Sequence, residues 1–389
     1  MNYRRFGGTG LMMPVFTCGG MRFQQSWKRG ATVTAASQRN LEATVDRALA
    51  LGINHFETAR GYGTSEVQLG QALARHPRPS FILQTKIAPT DDPQDFERYF
   101  AESLQRLRVS HVDLLSLHGV NDALALDRTL RAGGCLDVAE RLRRDGLVRH
   151  VGFSTHAPTA IILAAVDSGR FEYVNVHYYY IFQDNLPVLE AAQRRDMGVF
   201  IISPNDKGGR LYRPPAKLRA LCAPLSPMVF NDLFCLSHPQ IHTLSLGAAH
   251  PNDFDEHLQV LPLLDAPQPT LAPIVSRLDQ AYQAAVGEQF ARDWRIGLRE
   301  WNQLPGLINV RRILWLRNLV KAFDLTDFAQ ERYAAMSPDD TWVPGARAKT
   351  VDDRALIDAL PDSPYRAQIP DLMREAHALL ENPAAQAMP

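Results

Sequence analysis

The sequence predicts a closed (β/α)8 barrel with an N-terminal β-hairpin and a C-terminal helical extension. Three observations carry that expectation. Eight short apolar runs bounded by turn residues recur between residues 14 and 247. Several of these runs are apolar on both alternating faces, as parallel strands covered on each side require. Stretches of helical period lie between them, and eight strand–helix units over about 260 residues fill a barrel. The competing architecture, a doubly wound open sheet, places a glycine-rich phosphate turn directly after an early strand. Here Gly7-Gly8-Thr9-Gly10 precedes the first long strand. It therefore reads as the turn of a β-ribbon flanked by Phe6 and Leu11.

The predicted strands are Pro14–Gly19, Ile53–Ala59, Phe81–Ile87, Val112–His118, Val148–Thr155, Tyr173–Tyr178, Gly198–Pro204 and Ile241–Gly247. Leu41, Val45, Ala48 and Leu49 form one helical stripe; Val67, Leu69, Gly70 and Leu73 form a weaker second. Phe96, Phe100, Leu104 and Leu107 form a third, and Ile161, Ile162, Ala165 and Val166 a fourth. The rhythm breaks at the proline-rich stretch Leu264–Pro269. Beyond it the pattern is helical, with stripes at Leu278, Tyr282, Val286, Phe290 and Trp294, then at Ile313, Leu316, Leu319, Val320 and Phe323. Ile369, Leu372, Met373, Ala376, Leu379 and Leu380 give a clean amphipathic helix. The expected division is a barrel over 1–265 and a helical extension over 266–389, with Asn382–Pro389 as a frayed tail.

Composition narrows the function classes. The 389 residues carry 42 Lys and Arg against 42 Asp and Glu, a net charge of zero, which argues against a nucleic-acid partner held through phosphates. Hydrophobic residues are 46% and charged residues 22%, the balance of a globular chain rather than a disordered one. No run approaches the ~20 apolar residues of a membrane helix, and the N-terminus has no apolar signal core. Cys18, Cys135, Cys222 and Cys235 are scattered without a Cys-x-x-Cys pair, which fits a reducing, cytoplasmic setting. Oligomeric state leaves no mark in the sequence.

In such barrels the C-terminal strand ends carry the chemistry. Those ends place Glu57, Tyr62, Lys86 and His118 at one rim. A tyrosine with pKa ~10 is a sluggish acid at neutral pH. A neighbouring lysine cation stabilises the phenolate, and a carboxylate keeps the lysine charged and oriented. A histidine at the same rim hydrogen-bonds a substrate oxygen. The set suits protonation of a carbonyl oxygen as hydride arrives from a nicotinamide. Glu57 and Lys86 alone would read equally as a structural ion pair; Tyr62 and His118 in register favour the catalytic reading.

These residues resemble the aldo-keto reductase family, whose barrel carries an Asp-Tyr-Lys-His tetrad. The matching fragments are Phe56-Glu57-Thr58-Ala59, Tyr62-Gly63, Ser65-Glu66, Leu69-Gly70, Thr85-Lys86, Asp113-Leu114-Leu115 with His118, Gly152-Phe153-Ser154 and Ser203-Pro204. They cover residues 1 to about 262 in the order of the strands. The resemblance implies an NAD(P)H-dependent oxidoreductase acting on a small carbonyl or alcohol. It makes Tyr62 the proton donor, Lys86 and Glu57 its support and His118 the substrate-orienting group. Cofactor contacts would come from Gly20, Met21, Ser154, Asn175, Ser203, Lys207, Gly208, Gly247 and Glu256. Three departures stand out. Glu57 replaces the family's Asp, Ile202 stands where an aromatic usually stacks on the nicotinamide, and Asn175 stands for a Gln. Tyr178, Tyr179 or Tyr180 would supply the stacking surface instead, and Trp27, Phe23 and Phe182 are candidates for a substrate pocket.

The family's habit points to NADP(H). Yet Gly247–His257 contains no Lys or Arg for a 2′-phosphate, which leaves NAD(H) open. The tail is similar to a ferredoxin-like extension found on one branch of the family, through Arg317–Tyr333 and Trp342-Val343-Pro344-Gly345. No cysteine follows Cys235, so no iron–sulfur cluster is expected. Two other classes compete. The Glu57 and Ile202 departures fit a nucleotide-binding regulatory or scaffold protein with little turnover. A metal-dependent hydrolase would use His55, His156 and His177, but the His-x-His pair common in such barrels is absent, so no metal is expected.

Overall fold

The computed structural model describes residues 1–381; the tail Asn382–Pro389 lies outside the described residues. The chain forms two compact units, residues 1–208 with 228–267, and residues 209–227 with 268–389.

The first unit opens with β1 (Tyr3–Arg5) and β2 (Met12–Pro14), an antiparallel hairpin pairing Tyr3 with Pro14 and Arg5 with Met12. Gly7–Thr9 form a single 3-10 turn at its tip, and Phe6 N donates to Leu11 O at 2.8 Å. Eight strands follow: β3 (Phe16–Gly19), β4 (His55–Glu57), β5 (Ile82–Ile87), β6 (Val112–His118), β7 (Val148–Ser154), β8 (Tyr173–Val176), β9 (Gly198–Ile201) and β10 (Thr243–Leu246). All are parallel, and β10 pairs with both β9 and β3, closing the barrel. Each falls inside or on a predicted apolar run, shortened by up to three residues at one end or both except for β6, which matches its run.

The hairpin seals the N-terminal end. Phe6 is fully buried in a cluster with Met13, Leu114, Tyr173 and Phe200. A Cβ on Gly198, the first residue of β9, would stand 2.6 Å from the Phe6 ring, so only glycine lets the plug seat there. Above it the barrel interior is partly polar. Gln84 Nε2 donates to Ser116 Oγ at 2.8 Å, Ser116 Oγ lies 3.0 Å from the Tyr173 hydroxyl, and Thr17 bonds both His55 and Thr243. Period-2 patterning does not announce such a chain, because each member sits singly in an apolar strand.

Around the strands lie α1 (Ala35–Ala50), α2 (Ser65–Leu73), α3 (Pro93–Leu107), α4 (Ala123–Leu130), α5 (Cys135–Arg144), α6 (Thr159–Asp167), α7 (Leu186–Arg194), α8 (Pro204–Lys207) and, after α9 of the second unit (Ala216–Cys222), α10 (Pro227–Leu236). Side-chain caps fix several starts, Thr34 for α1, Asp92 for α3 and Asp122 for α4. Motif residues divide between fold and site here. Asp113 accepts from Leu83 N at 2.8 Å and pairs with Arg78 and Arg149. Glu66 accepts from Thr85 Oγ1 at 2.8 Å. A Cβ on Gly70 would lie 2.7 Å from Leu107 Cα, where α2 meets α3.

The second unit holds α9 together with α11 (Gln268–Val286), α12 (Glu288–Asp293), α13 (Val310–Phe323), α14 (Thr326–Ala334), α15 (Asp353–Ala359) and α16 (Ile369–Leu380). The stripe from Leu278 to Trp294 is not one helix: Gly287 takes φ +92° and ends α11. Buried Arg317 on α13 pairs with Glu375 on α16. Segment 209–227 is stitched into this unit through Arg210–Glu331, Lys217–Asp324 and Arg277 Nε donating to Leu221 O. The boundary expected near 265 thus omits a segment that the unit also recruits.

Candidate active site

The four residues expected to carry the chemistry lie at or just beyond the C-terminal ends of barrel strands. Glu57 ends β4, Lys86 sits near the end of β5, and His118 ends β6. Tyr62 lies in the turn before α2, with its N–H on Ala59 O at 2.9 Å. Lys86 and Glu57 are 1% and 4% exposed and form an ion pair. The second Glu57 oxygen accepts from Ser245 Oγ at 2.9 Å, and Lys86 Nζ also donates to Thr58 O at 3.1 Å. The longer carboxylate therefore reaches the ammonium, and Ser245 on β10 holds it there. Ser245 escaped the sequence because a lone serine in an apolar strand has no pattern of its own.

The Lys86 ammonium stands 5.0 Å from the centre of the Tyr62 ring, and the His118 ring meets that ring edge-on at 5.7 Å. Burial pushes the Tyr62 phenol above its ordinary value, and the Lys86 cation pulls against that shift without reversing it. Lys86 does lower this pKa, as expected of a neighbouring cation, but burial is the larger effect and the net shift is upward. Burial also works against the Lys86 charge, but Glu57 and Tyr62 together raise its pKa. Burial and the Lys86 cation hold the His118 pKa down to about 3, so its ring is neutral at physiological pH.

A second wall comes from β6, β7 and β8. His118, Ser154 and Asn175 stand side by side in register. Ser154 Oγ accepts from Gly119 N at 3.3 Å and caps no helix, since α6 starts at Thr159 behind Pro158 without a side-chain cap. Asn175 is fully buried, and neither its carbonyl oxygen nor its amide nitrogen has a hydrogen-bond partner. An unpaired buried amide costs free energy.

The remaining residues ring the same rim. Gly20 follows β3, and a Cβ there would stand 2.5 Å from Glu57 O. Its carbonyl accepts from Ser65 Oγ at 2.8 Å, and Met21 is half-buried beside it. Ser203 takes a left-handed φ of +52° after β9. Lys207 Nζ lies 3.1 Å from His156 Nδ1 and 3.4 Å from His177 Nε2, with Gly208 closing the turn. Gly247 O accepts from Arg22 Nη1 at 2.9 Å, and Glu256 lies in the loop beyond. That loop uses its own acids: Asp253 accepts from Ala249 N and His250 N, and Asp255 pairs with Arg47. Among the described residues no group of three or more His, Cys, Asp or Glu is placed to hold a metal, and no helix is long and apolar enough to cross a membrane.

Trp27 stands out beside Tyr62. It is 62% exposed, yet its ring meets Tyr62 edge-on at 6.3 Å. Its loop is clamped: Thr64 N donates to Ser26 O at 3.0 Å, and Gln25 N donates to Thr64 Oγ1 and Gln68 Oε1. Gly63 lies underneath with φ +53°, where a Cβ would stand 2.6 Å from Trp27 Cα. Of the other aromatic candidates, Phe23 is buried, and the Tyr179 hydroxyl is engaged with Ile202 O and with His177 Nδ1 at 2.6 Å.

The profile of the aldo/keto reductase family matches residues 16–214, more than half of the chain. The chain belongs to the aldo/keto reductase family. It is similar to the L-galactose dehydrogenase of Arabidopsis thaliana, 28% identical over 52% of this chain and 64% of that protein. It is also similar to a D-threo-aldose 1-dehydrogenase of a Pseudomonas species, 28% identical over 35% of this chain and 50% of that protein. These matches span less than two thirds of either relative. Among solved structures, an aldo-keto reductase from Bacillus halodurans in its holo form superposes with a TM-score of 0.59. That match is 20% identical and covers 71% of this chain and 96% of that one, a likeness of fold.

Proposed function

We propose that the chain is an NAD(P)-dependent oxidoreductase that interconverts a carbonyl and an alcohol, with Tyr62 as proton donor. The observation that carries the proposal is the Tyr62 ring set between the ion-paired Lys86 ammonium and a neutral His118. The raised Tyr62 pKa keeps the phenol protonated at neutral pH, as a donor must be. Lys86, kept charged by Glu57, stabilises the phenolate left when the proton moves to the substrate oxygen. The neutral His118 positions that oxygen and carries no competing charge. Run backwards, the same groups take the proton from an alcohol.

The rim fits a nicotinamide dinucleotide. The orphaned Asn175 amide offers both a donor and an acceptor to a carboxamide, with Ser154 beside it in register. Gly20, Met21, Ser203, Lys207, Gly208, Gly247 and Glu256 would hold the rest of the molecule. When bound, such a group supplies or accepts the hydride. Both dinucleotides stay in view, because Gly247–His257 contains no Lys or Arg and Asp255 engages Arg47. The substrate we infer is an aldose. Two similar proteins are named for sugars, and exposed Trp27 offers a fixed apolar face to a ring beside Tyr62.

Fluorescence titration with NADH and with NADPH tests this reading. Micromolar quenching by at least one is expected, and the stronger of the two settles the preference. Binding of neither at millimolar concentration would overturn it.

A further inference from the structure

One buried polar chain in the barrel unit has no part in the chemistry above. Asp232 on α10 is fully buried, His257 is 1% exposed and Asn205 on α8 is 7% exposed. His257 Nδ1–H donates to Asp232 Oδ2, and Asn205 Nδ2 donates to His257 Nε2 at 3.1 Å. The chain joins three segments distant in sequence: the turn after β9, the body of α10 and the loop after β10.

Stability alone explains this chain poorly. Asp232 Oδ1 and Asn205 Oδ1 are buried without partners, and a well-packed apolar trio would avoid both costs. Its ends explain it better. Asn205 lies in the turn that carries Ser203 and Lys207, and His257 directly follows Glu256. These are the two loops assigned to the dinucleotide. The first of them contains a residue with a left-handed backbone, Ser203 at φ +52°, a conformation that persists only where the surroundings hold it. A second contact from α10 reaches the same turn, Asn231 Nδ2 to Pro204 O at 3.5 Å.

We infer that Asp232, His257 and Asn205 are positioning residues that lock the two cofactor loops to each other through α10. The inference rests on the dinucleotide reading. Asp232 fixes the imidazole, the imidazole fixes the Asn205 amide, and the amide fixes the turn that presents Ser203 and Lys207. None of the three needs to touch the ligand.

The test is a double-mutant cycle on dinucleotide binding, using Asp232→Asn, Asn205→Ala and the pair, with NADH and NADPH titrated by fluorescence. Asn205→Ala removes the last link and leaves the buried Asp232–His257 pair intact, so it reports even if Asp232→Asn folds poorly. Each single change is expected to weaken binding about tenfold, and the double change no further, because both cut one chain. The turnover number at saturating cofactor should stay near wild type while the cofactor KM rises. Wild-type affinity in Asn205→Ala would overturn the inference, and so would losses that multiply to about a hundredfold in the pair. If the wild-type protein binds neither dinucleotide, the functional reading falls first and takes this inference with it. Binding that Asn205→Ala leaves unchanged removes the inference alone.

Discussion

Lys86 and Glu57 show how a single buried pair ties stability to chemistry. Each is almost wholly removed from water, so each depends on the other. Lys86→Met should strand the Glu57 carboxylate and cost about 3–5 kcal/mol, read as a lower denaturation midpoint in urea. Glu57→Gln should cost a comparable amount, since one amide oxygen cannot serve both Ser245 Oγ and Lys86 and the buried ammonium loses its counter-charge, and it should lower turnover by loosening the lysine. Much of this site was legible because tyrosine, lysine, histidine and a carboxylate fell at predicted strand ends in order. Ser245, Asp232 and His257 were not, because their meaning lies in partners 188, 25 and 52 positions away. The net rise in the Tyr62 pKa was equally hidden, since burial of a loop residue is a property of the closed rim.

The loops and helices that shape the rim were less readable than the strands. All eight barrel strands are apolar runs of ordinary length, and period and turn residues find them. The helices α4, α5, α7 and α10 were not singled out in the sequence, although α5 carries a clear apolar face of Leu136, Val138, Ala139 and Leu142. The break at Gly287 was overridden on paper by an apolar repeat that continued past it. Gly63 sets the sharpest test at this scale. Its positive φ and its closeness to Trp27 leave no room for a side chain. Gly63→Ala should displace the loop that carries Trp27 and raise the substrate KM while dinucleotide affinity stays at the wild-type value. Trp27→Ala should do the same with little change in melting temperature, because the ring is mostly exposed. Steady-state kinetics on an aldose panel, with thermal melts alongside, would check both.

At the scale of the chain, three histidines, His55 buried and His118 and His242 half-buried, make a prediction about pH. Burial and neighbouring cations hold His55 and His118 down to about 3 and His242 to about 4. The unfolded chain takes up these protons near pH ~6.5, so it binds more protons than the folded state across the interval. Their contribution to stability is complete above about pH 6.5 and is lost as pH falls toward 3–4. Urea midpoints should therefore drop between pH 6.5 and 4 more steeply in the wild type than in His55→Gln. The helical unit makes a second prediction. Leu211, Leu218 and Cys222 of segment 209–227 are buried, and that segment belongs to one unit with the residues from 268 onward that are described. A chain cut at Pro267 should expose them and aggregate, and gel filtration would show it. The proposed proton transfer from Tyr62 depends on its hydroxyl, which a phenylalanine lacks. Tyr62→Phe, assayed on the best aldose with the preferred dinucleotide, is expected to lose about 10²–10⁴-fold in turnover while binding that dinucleotide as the wild type does. Turnover equal to the wild type would contradict the account.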